Sequence, residues 1–233
     1  MRILELFCGT KSISKAFKDR GHEVFTVDVN KKFKPDLCID ILKFETFMLP
    51  SEWRIPDIIW ASPPCTTFSV ASLGHYWIDG KPKSWKTYMG LAIAKKTLEV
   101  IQELKPKHWF IENPRGMMRK QQFMQSLHRK TVTYCQYGES YMKPTDIWTN
   151  DVTWIPRPMC KAGDDCHEEA RRGTKTGVQG RGVNDLLVKG TGLTKAQMRS
   201  KIPNELCHEI VTVCEGKLKI EQQILCCTNT EEK

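Results

Sequence analysis

The chain has 233 residues, 40% of them hydrophobic and 27% charged, and its 36 Lys and Arg against 27 Asp and Glu give a formal net charge of +9. That length allows one substantial core, or a core with a small appendage, in a globular domain suited to a polyanionic partner. No run nears the roughly 18 apolar residues of a membrane span, and the ten cysteines are too scattered through a long chain for a secreted disulfide scaffold.

The opening "MRILELFCGT" has no cleavage-site pattern of small residues, so a cytoplasmic protein with mostly reduced thiols is expected. Its "RILEL" predicts a first strand, "FCGTKS" a turn, and Ser12 to Arg20 a helix ending near Gly21. "HEVFTVDV" predicts a second strand ending at Asp28, "DLCIDI" a third ending near Asp40, and "PDIIWAS" a fourth with Cys65 just beyond it. A long polar and aromatic loop then runs to about Trp85. "MGLAIAKKTLEVIQEL" has helical periodicity closed by Pro106, and "KHWFIEN" predicts a fifth strand. "QQFMQSLHRK" reads as a helix, and "TVTYCQYG" and "TDIWTN" as two further strands. Residues 151 to about 200 are rich in Gly, Pro and charge, and "PNELCHEIVTVCE" reads as a closing helix with Pro203 near its first turn.

Strands alternating with helices predict an α/β fold with a doubly wound sheet, in which ligands sit at the carboxyl ends of the strands. The expected organisation is a core over residues 1–150, a small basic Gly- and Cys-rich insert over 151–200, and a helix returning to the core, plus a tail, over 201–233. Basic residues cluster in two places. Five lysines between residues 75 and 96, Lys83 among them, are interleaved with Tyr76, Trp77, Trp85 and Tyr88. From Arg171 to Lys201 there are eight Lys or Arg against Asp185 alone. Basic surface with aromatics suits nucleic acid, although a solvated face accounts for the same charges.

Three groups at predicted strand ends carry chemistry. Gly9, in "LFCGT", lets the backbone approach a ligand at a helix start, and Asp28, nineteen residues on, is placed to accept hydrogen bonds from ribose. Without further glycines this is not a pyrophosphate loop, and a nucleoside-type cofactor fits better. In "SPPCTTFS" two prolines stiffen the approach to Cys65, which aims the thiol as a nucleophile would require. The plain alternative is a buried structural thiol. In "IENPRG", Glu112 lies at a strand end, where an apolar pocket raises a carboxyl pKa and lets a protonated acid donate to a ring nitrogen. Its alternative is a surface carboxylate in a salt bridge. A fourth group, Cys160, Cys166 and His167 with Cys135 as a further member, has donors suited to structural zinc, though its Cys-x5-Cys-His spacing also suits free thiols and an exposed histidine. In "ARRGTKTGVQGRG", Arg171, Arg172, Lys175 and Arg181 are candidates to track a phosphate backbone; a flexible loop is the other reading.

Together "LELFCGT", "CIDI", "SPPCTTFS", "ENPRG", "KPTDIWTN" and "RSKIPNELCHEI" resemble, in order and spacing, motifs of the DNA cytosine-5 methyltransferases. The resemblance covers residues 1–150 and about 199–215. It implies a Rossmann-like sheet that binds S-adenosylmethionine through Phe7, Cys8, Gly9, Thr10, Asp28, Asp40, Ile41 and Pro63. It also implies Cys65 and Glu112 as the catalytic pair acting on a flipped-out cytosine of DNA. Thr66 and Lys83 then belong to a loop closing over the base. Lys143, with Gln136, stands where the family has an Arg-x-Arg pattern, and Thr66, Lys83 and Lys143 are candidates to contact the DNA. The family's large recognition domain is reduced to the short insert, so a protein partner that supplies specificity stays open, and a monomer is favoured. Two other functions remain: the same thiol chemistry on RNA or a free nucleotide, or with a modified donor, and a DNA-binding regulator without turnover.

Overall fold

The structure is a computed structural model that describes residues 1–168 and 193–216. Seven strands form one sheet in the order β3-β2-β1-β4-β7-β9-β8. These are β1 (Arg2–Leu6), β2 (Glu23–Asp28), β3 (Leu37–Cys38), β4 (Ile58–Ala61), β7 (His108–Pro114), β8 (Arg129–Thr133) and β9 (Pro144–Thr149). β3, β2, β1, β4 and β7 pair in parallel, and β9 runs antiparallel between β7 and β8. The register sets Leu6 beside Val27 on one side and Ala61 on the other, and Ala61 beside Ile111. The strand ends carrying Phe7, Asp28, Ser62 and Glu112 therefore open at the same edge of the sheet.

Both faces are buried, as a parallel sheet demands. Successive residues alternate between two cores. Ile3, Ile58, Trp60 and Phe110 pack with α1 (Ser12–Asp19) and with a late helix, α6 (Asn204–Cys214). Leu4, Leu6, Ile59, Ala61 and Ile111 pack on the other face with α3 (Trp85–Leu104). Helices on opposite faces make the sheet doubly wound, as expected. A short helix, α5 (Lys195–Arg199), precedes α6. Among the described residues no helix is long and apolar enough to cross a membrane.

Four local expectations are corrected. The third strand is only two residues long, because the Asp40 carboxylate accepts from the Leu42 N–H (3.0 Å) and caps a 3-10 turn over Ile41–Lys43. The loop to Trp85 contains a short helix, α2 (Leu73–Tyr76), and a hairpin of β5 (Trp77–Ile78) and β6 (Lys81–Pro82), joined by Asp79 and Gly80 at positive φ. The predicted helix over 121–130 shrinks to α4 (Gln122–Gln125), since Arg129–Thr133, rich in β-branched residues, pairs with β9. The strand expected over 131–138 stops at Thr133, opposite Pro144, which has no N–H to extend the ladder; Tyr134–Tyr137 form a 3-10 turn. Beyond β9 the chain stays on the core past residue 150. Trp154 is buried, edge-on to Phe110, and donates to Glu209 (2.8 Å).

Candidate active site

The first wall is the turn after β1. Phe7 and Gly9 both adopt positive φ (59° and 45°), so the chain reverses sharply and brings the Gly9 N–H onto Asp28 (2.9 Å). The other Asp28 oxygen accepts the Asn30 N–H (2.8 Å). Each carboxylate oxygen keeps a free lone pair, so Asp28 is held rigidly and can still accept from a ligand hydroxyl. Beside it lies a cleft of about 350 Å³, lined by Phe7, Asp28, Asp40 and Ile41 together with Val27, Val29, Ile39, Pro64 and Ile93. An apolar slot with a carboxylate at its rim suits a nucleoside whose base is buried and whose ribose is hydrogen-bonded. Cys8 is buried, and burial pushes its thiol up to about 12, which leaves it inert. Pro63 is also buried, and its neighbour Pro64 lines the cleft in its place. The five unforeseen lining residues are apolar side chains of strand ends, of α3 and of the Pro-Pro pair, with nothing in their sequence to mark them.

The second wall is built on β4 and β7, adjacent strands at the middle of the sheet. Cys65 follows β4 after the two prolines, and Glu112 sits inside β7 with 6% of its surface exposed. Burial raises the Glu112 pKa above the ordinary carboxylate range, while Lys143 and hydrogen bonds from Tyr134 and Ser62 pull it partly back. The Tyr134 hydroxyl donates to Glu112 Oε1 at 3.1 Å. Burial also raises the Cys65 thiol, and the Glu112 charge pushes the same way; Lys143 and Arg199 oppose both. The two predicted catalytic groups thus lie within range of each other's charge. Tyr134 and Arg199 were not foreseen. The tyrosine was hidden in a segment read as plain strand, and Arg199 opens the quoted "RSKIPNELCHEI" without a spacing rule to single it out.

Two glycines and an asparagine hold the thiol-bearing loop. The Phe68 and Ser69 N–H groups both donate to the Cys65 carbonyl (3.0 Å each), closing a tight turn. Asn113 donates to the Pro63 carbonyl (2.9 Å). At Gly116 a Cβ would lie 2.0 Å from the Phe68 carbonyl oxygen, and at Gly90 it would lie 2.4 Å from Thr67 Oγ1. The loop is gripped between α3 and the "ENPRG" turn, where only hydrogen fits.

A family model for C-5 cytosine-specific DNA methylase matches residues 1–133. The chain belongs to that family. Its members are S-adenosylmethionine-dependent transferases acting on carbon 5 of cytosine. A "Probable DNA (cytosine-5)-methyltransferase" of Frog virus 3 (isolate Goorha) is 29% identical over 222 residues, 92% of this methylase and 100% of the relative. Among solved structures, a Spodoptera frugiperda DNMT2 mutant aligns at 18% identity and TM-score 0.41 over 67% of this chain and 52% of its own. The Entamoeba histolytica methyltransferase EhMeth aligns at 14% identity and TM-score 0.46, over 64% and 52%. The chain spans about half the length of those two structures.

The residues expected at DNA divide into four sets in this methylase. Thr66 is exposed on the rim of the thiol loop, where its carbonyl accepts from Ser72 (2.6 Å). Lys83 is tied back on the β5–β6 hairpin, its N–H donating to Tyr76 (2.8 Å). Lys143 is turned inward. Its Nζ donates to the Arg199 carbonyl (3.0 Å) and lies 4.3 Å over the Tyr134 ring, acting on Cys65 and Glu112. Arg171, Arg172, Lys175 and Arg181 lie outside the described residues. Of the four aromatics interleaved with the lysines, Trp77 is buried and donates its indole N–H to the Thr67 carbonyl (2.6 Å), so it is a strut under the loop, whereas Trp85 and Tyr88 stay exposed. Cys135, Cys160, Cys166 and His167 come together, with their ligand atoms all within 4.8 Å of one another.

Proposed function

We propose that the protein methylates carbon 5 of a cytosine in DNA through a transient bond between the Cys65 sulfur and carbon 6 of the base. The observation that carries this reading is the buried Glu112 in β7, its proton favoured by burial, within charge range of the one thiol that follows the Pro-Pro corner. The base has to leave its stack to enter this site. As the Cys65 thiolate adds to carbon 6, electron density moves into the ring, and a proton held by Glu112 at ring nitrogen 3 stabilises it. Carbon 5 then has enamine character. S-adenosylmethionine, when bound, supplies a sulfonium-activated methyl group; Asp28, Asp40, Phe7 and Ile41 would hold it, with the Gly9 turn keeping Asp28 in place. Loss of the carbon 5 proton and expulsion of the Cys65 thiolate restore the aromatic base. Tyr134 orients Glu112, and Lys143 and Arg199 favour the thiolate. Thr66 at the loop rim is suited to meet the nucleic acid. The cluster at Cys135, Cys160, Cys166 and His167 fits a zinc ion with no part in the reaction.

The test is transfer of a tritiated methyl group from S-adenosylmethionine to DNA, together with trapping on DNA that contains 5-fluorocytosine. Cys65→Ala should abolish both, and Glu112→Gln should slow transfer by about 10²–10⁴-fold. Full transfer by Cys65→Ala would overturn the proposal.

A further inference from the structure

We propose that Cys135, Cys160, Cys166 and His167 bind one structural Zn²⁺, and that this ion locks residues 157–168 onto the turn after β8, where Arg157 already bonds Gln136 and Tyr137 (2.7 and 3.0 Å). A four-coordinate zinc with bonds of about 2.3 Å to sulfur and 2.0–2.1 Å to nitrogen requires sulfur–sulfur separations of about 3.8 Å and sulfur–nitrogen separations of about 3.5 Å. The cluster has Cys135 Sγ to Cys166 Sγ at 3.7 Å, Cys160 Sγ to His167 Nδ1 at 3.7 Å and Cys166 Sγ to His167 Nδ1 at 3.5 Å. The Cys135–Cys160 separation, 2.9 Å, has to widen, though it is far longer than the roughly 2.05 Å of a disulfide, and the remaining two pairs lie within the 4.8 Å that spans the whole cluster. Three thiols and an imidazole fill every position of a tetrahedron, which makes the site closed and structural.

The surroundings are built for this. The Cys160 N–H donates to Thr133 Oγ1 (3.1 Å), and the Gln136 side-chain amide reaches Cys166 Sγ (3.4 Å), the kind of outer contact that orients metal ligands. The Lys161 N–H donates to the Asp164 carboxylate (2.7 Å), folding the five residues between the two cysteines into a turn. The energetic need is equally plain. Between residues 155 and 168 Cys160 is the one buried residue. A segment that buries so little cannot hold its shape by hydrophobic contact, and a bound metal supplies that free energy instead. Cys135 is the neighbour in sequence of Tyr134, the donor to Glu112. The ion would thus anchor the outer segment one residue from the catalytic wall, a role that rests on the function read above.

The experiment uses the full chain purified under reducing conditions without added chelator. Mass-spectrometric metal analysis should find one zinc per chain in the parent and in Cys65→Ser, and less than about a tenth of that in Cys166→Ser and His167→Asn, whose side chains are not buried. Hydrogen exchange should then show faster exchange in residues 134–137 and 157–168 in both ligand variants, with exchange in β1 and β4 unchanged. A zinc-free parent, a Cys135–Cys160 disulfide in a denaturing thiol count, or zinc-depleted variants with parental exchange in both segments would each overturn the proposal. None of these readings uses methyl transfer. Failure of the parent to trap fluorocytosine DNA would sink the catalytic reading and leave the zinc count as it stands.

Discussion

At the residue scale the site is a balance between burial and one lysine. Burial raises the pKa of both Cys65 and Glu112, and Lys143 lowers both. The reaction needs the first deprotonated and the second protonated, so the rate should rise with pH as the thiolate forms and fall as Glu112 loses its proton, a bell whose two apparent values belong to the coupled pair. Lys143→Met removes the shared opposing charge. Both limbs should then move to higher pH, with a lower rate at neutral pH, as measured by single-turnover transfer across the pH range. A bell left in place would show that the Nζ charge is screened from the pair. The proposed pair, Cys65 and Glu112, stands out in the sequence because each ends an apolar run that cannot continue, at Pro-Pro-Cys and at Glu-Asn-Pro. Lys143 reads as a DNA contact from its place near the family's Arg-x-Arg pattern, and neither charge nor spacing tells which way a side chain turns. Its positive φ of 26° places it where the chain bends back toward Arg199.

The elements turn this chemistry into a position. Cys65 is on a loop, yet Gly116 takes the Phe68 carbonyl in place of a side chain, and the Met117 N–H donates to the same oxygen (2.7 Å). Gly116→Ala would push a methyl group into backbone and shift the thiol by a sizeable fraction of an ångström. Transfer should drop by roughly 100-fold, the usual cost of a misplaced reacting group. Calorimetry should find S-adenosylmethionine binding retained, because Gly116 does not border the cleft. The long elements were legible from periodicity: α1, α3, α6 and the parallel strands β1, β2, β4 and β7 lie where the apolar pattern sets them. The misread ones were short. The β5–β6 hairpin carries an Asp-Gly turn, which was a usable signal. The end of β8 depends on Pro144 across the sheet, a tertiary fact that no window of local sequence holds.

For the molecule as a whole, buried acids shape how stability responds to pH, and Glu5 is one that lies apart from Cys65 and Glu112. Glu5 points from β1 toward α1, where it accepts from the Ser14 N–H (3.2 Å) and hydroxyl. Burial outweighs these bonds and raises its pKa from 4.5 to about 7. Between those values the folded chain holds a proton that the unfolded chain has released, so stability is fully present below about pH 4.5 and falls as pH rises to about 7. The total effect is on the order of 3 kcal/mol. Glu5→Gln, which keeps an acceptor for Ser14, should flatten that decline, as followed by denaturant unfolding at pH 5, 6, 7 and 8. Parallel curves for parent and variant would show that Glu5 ionises freely.

The helix that covers Ile3, Ile13 and Phe17 is α6, the last of the described elements, whereas those three residues are among the first made. During synthesis the α3 side of the sheet can close early. The opposite side stays bare until Asn204–Cys214 has cleared the ribosome. A nascent chain of this protein is therefore half-finished for most of its translation, and a nonsense codon shortly before residue 204 would yield a greasy, aggregating product rather than a smaller working enzyme.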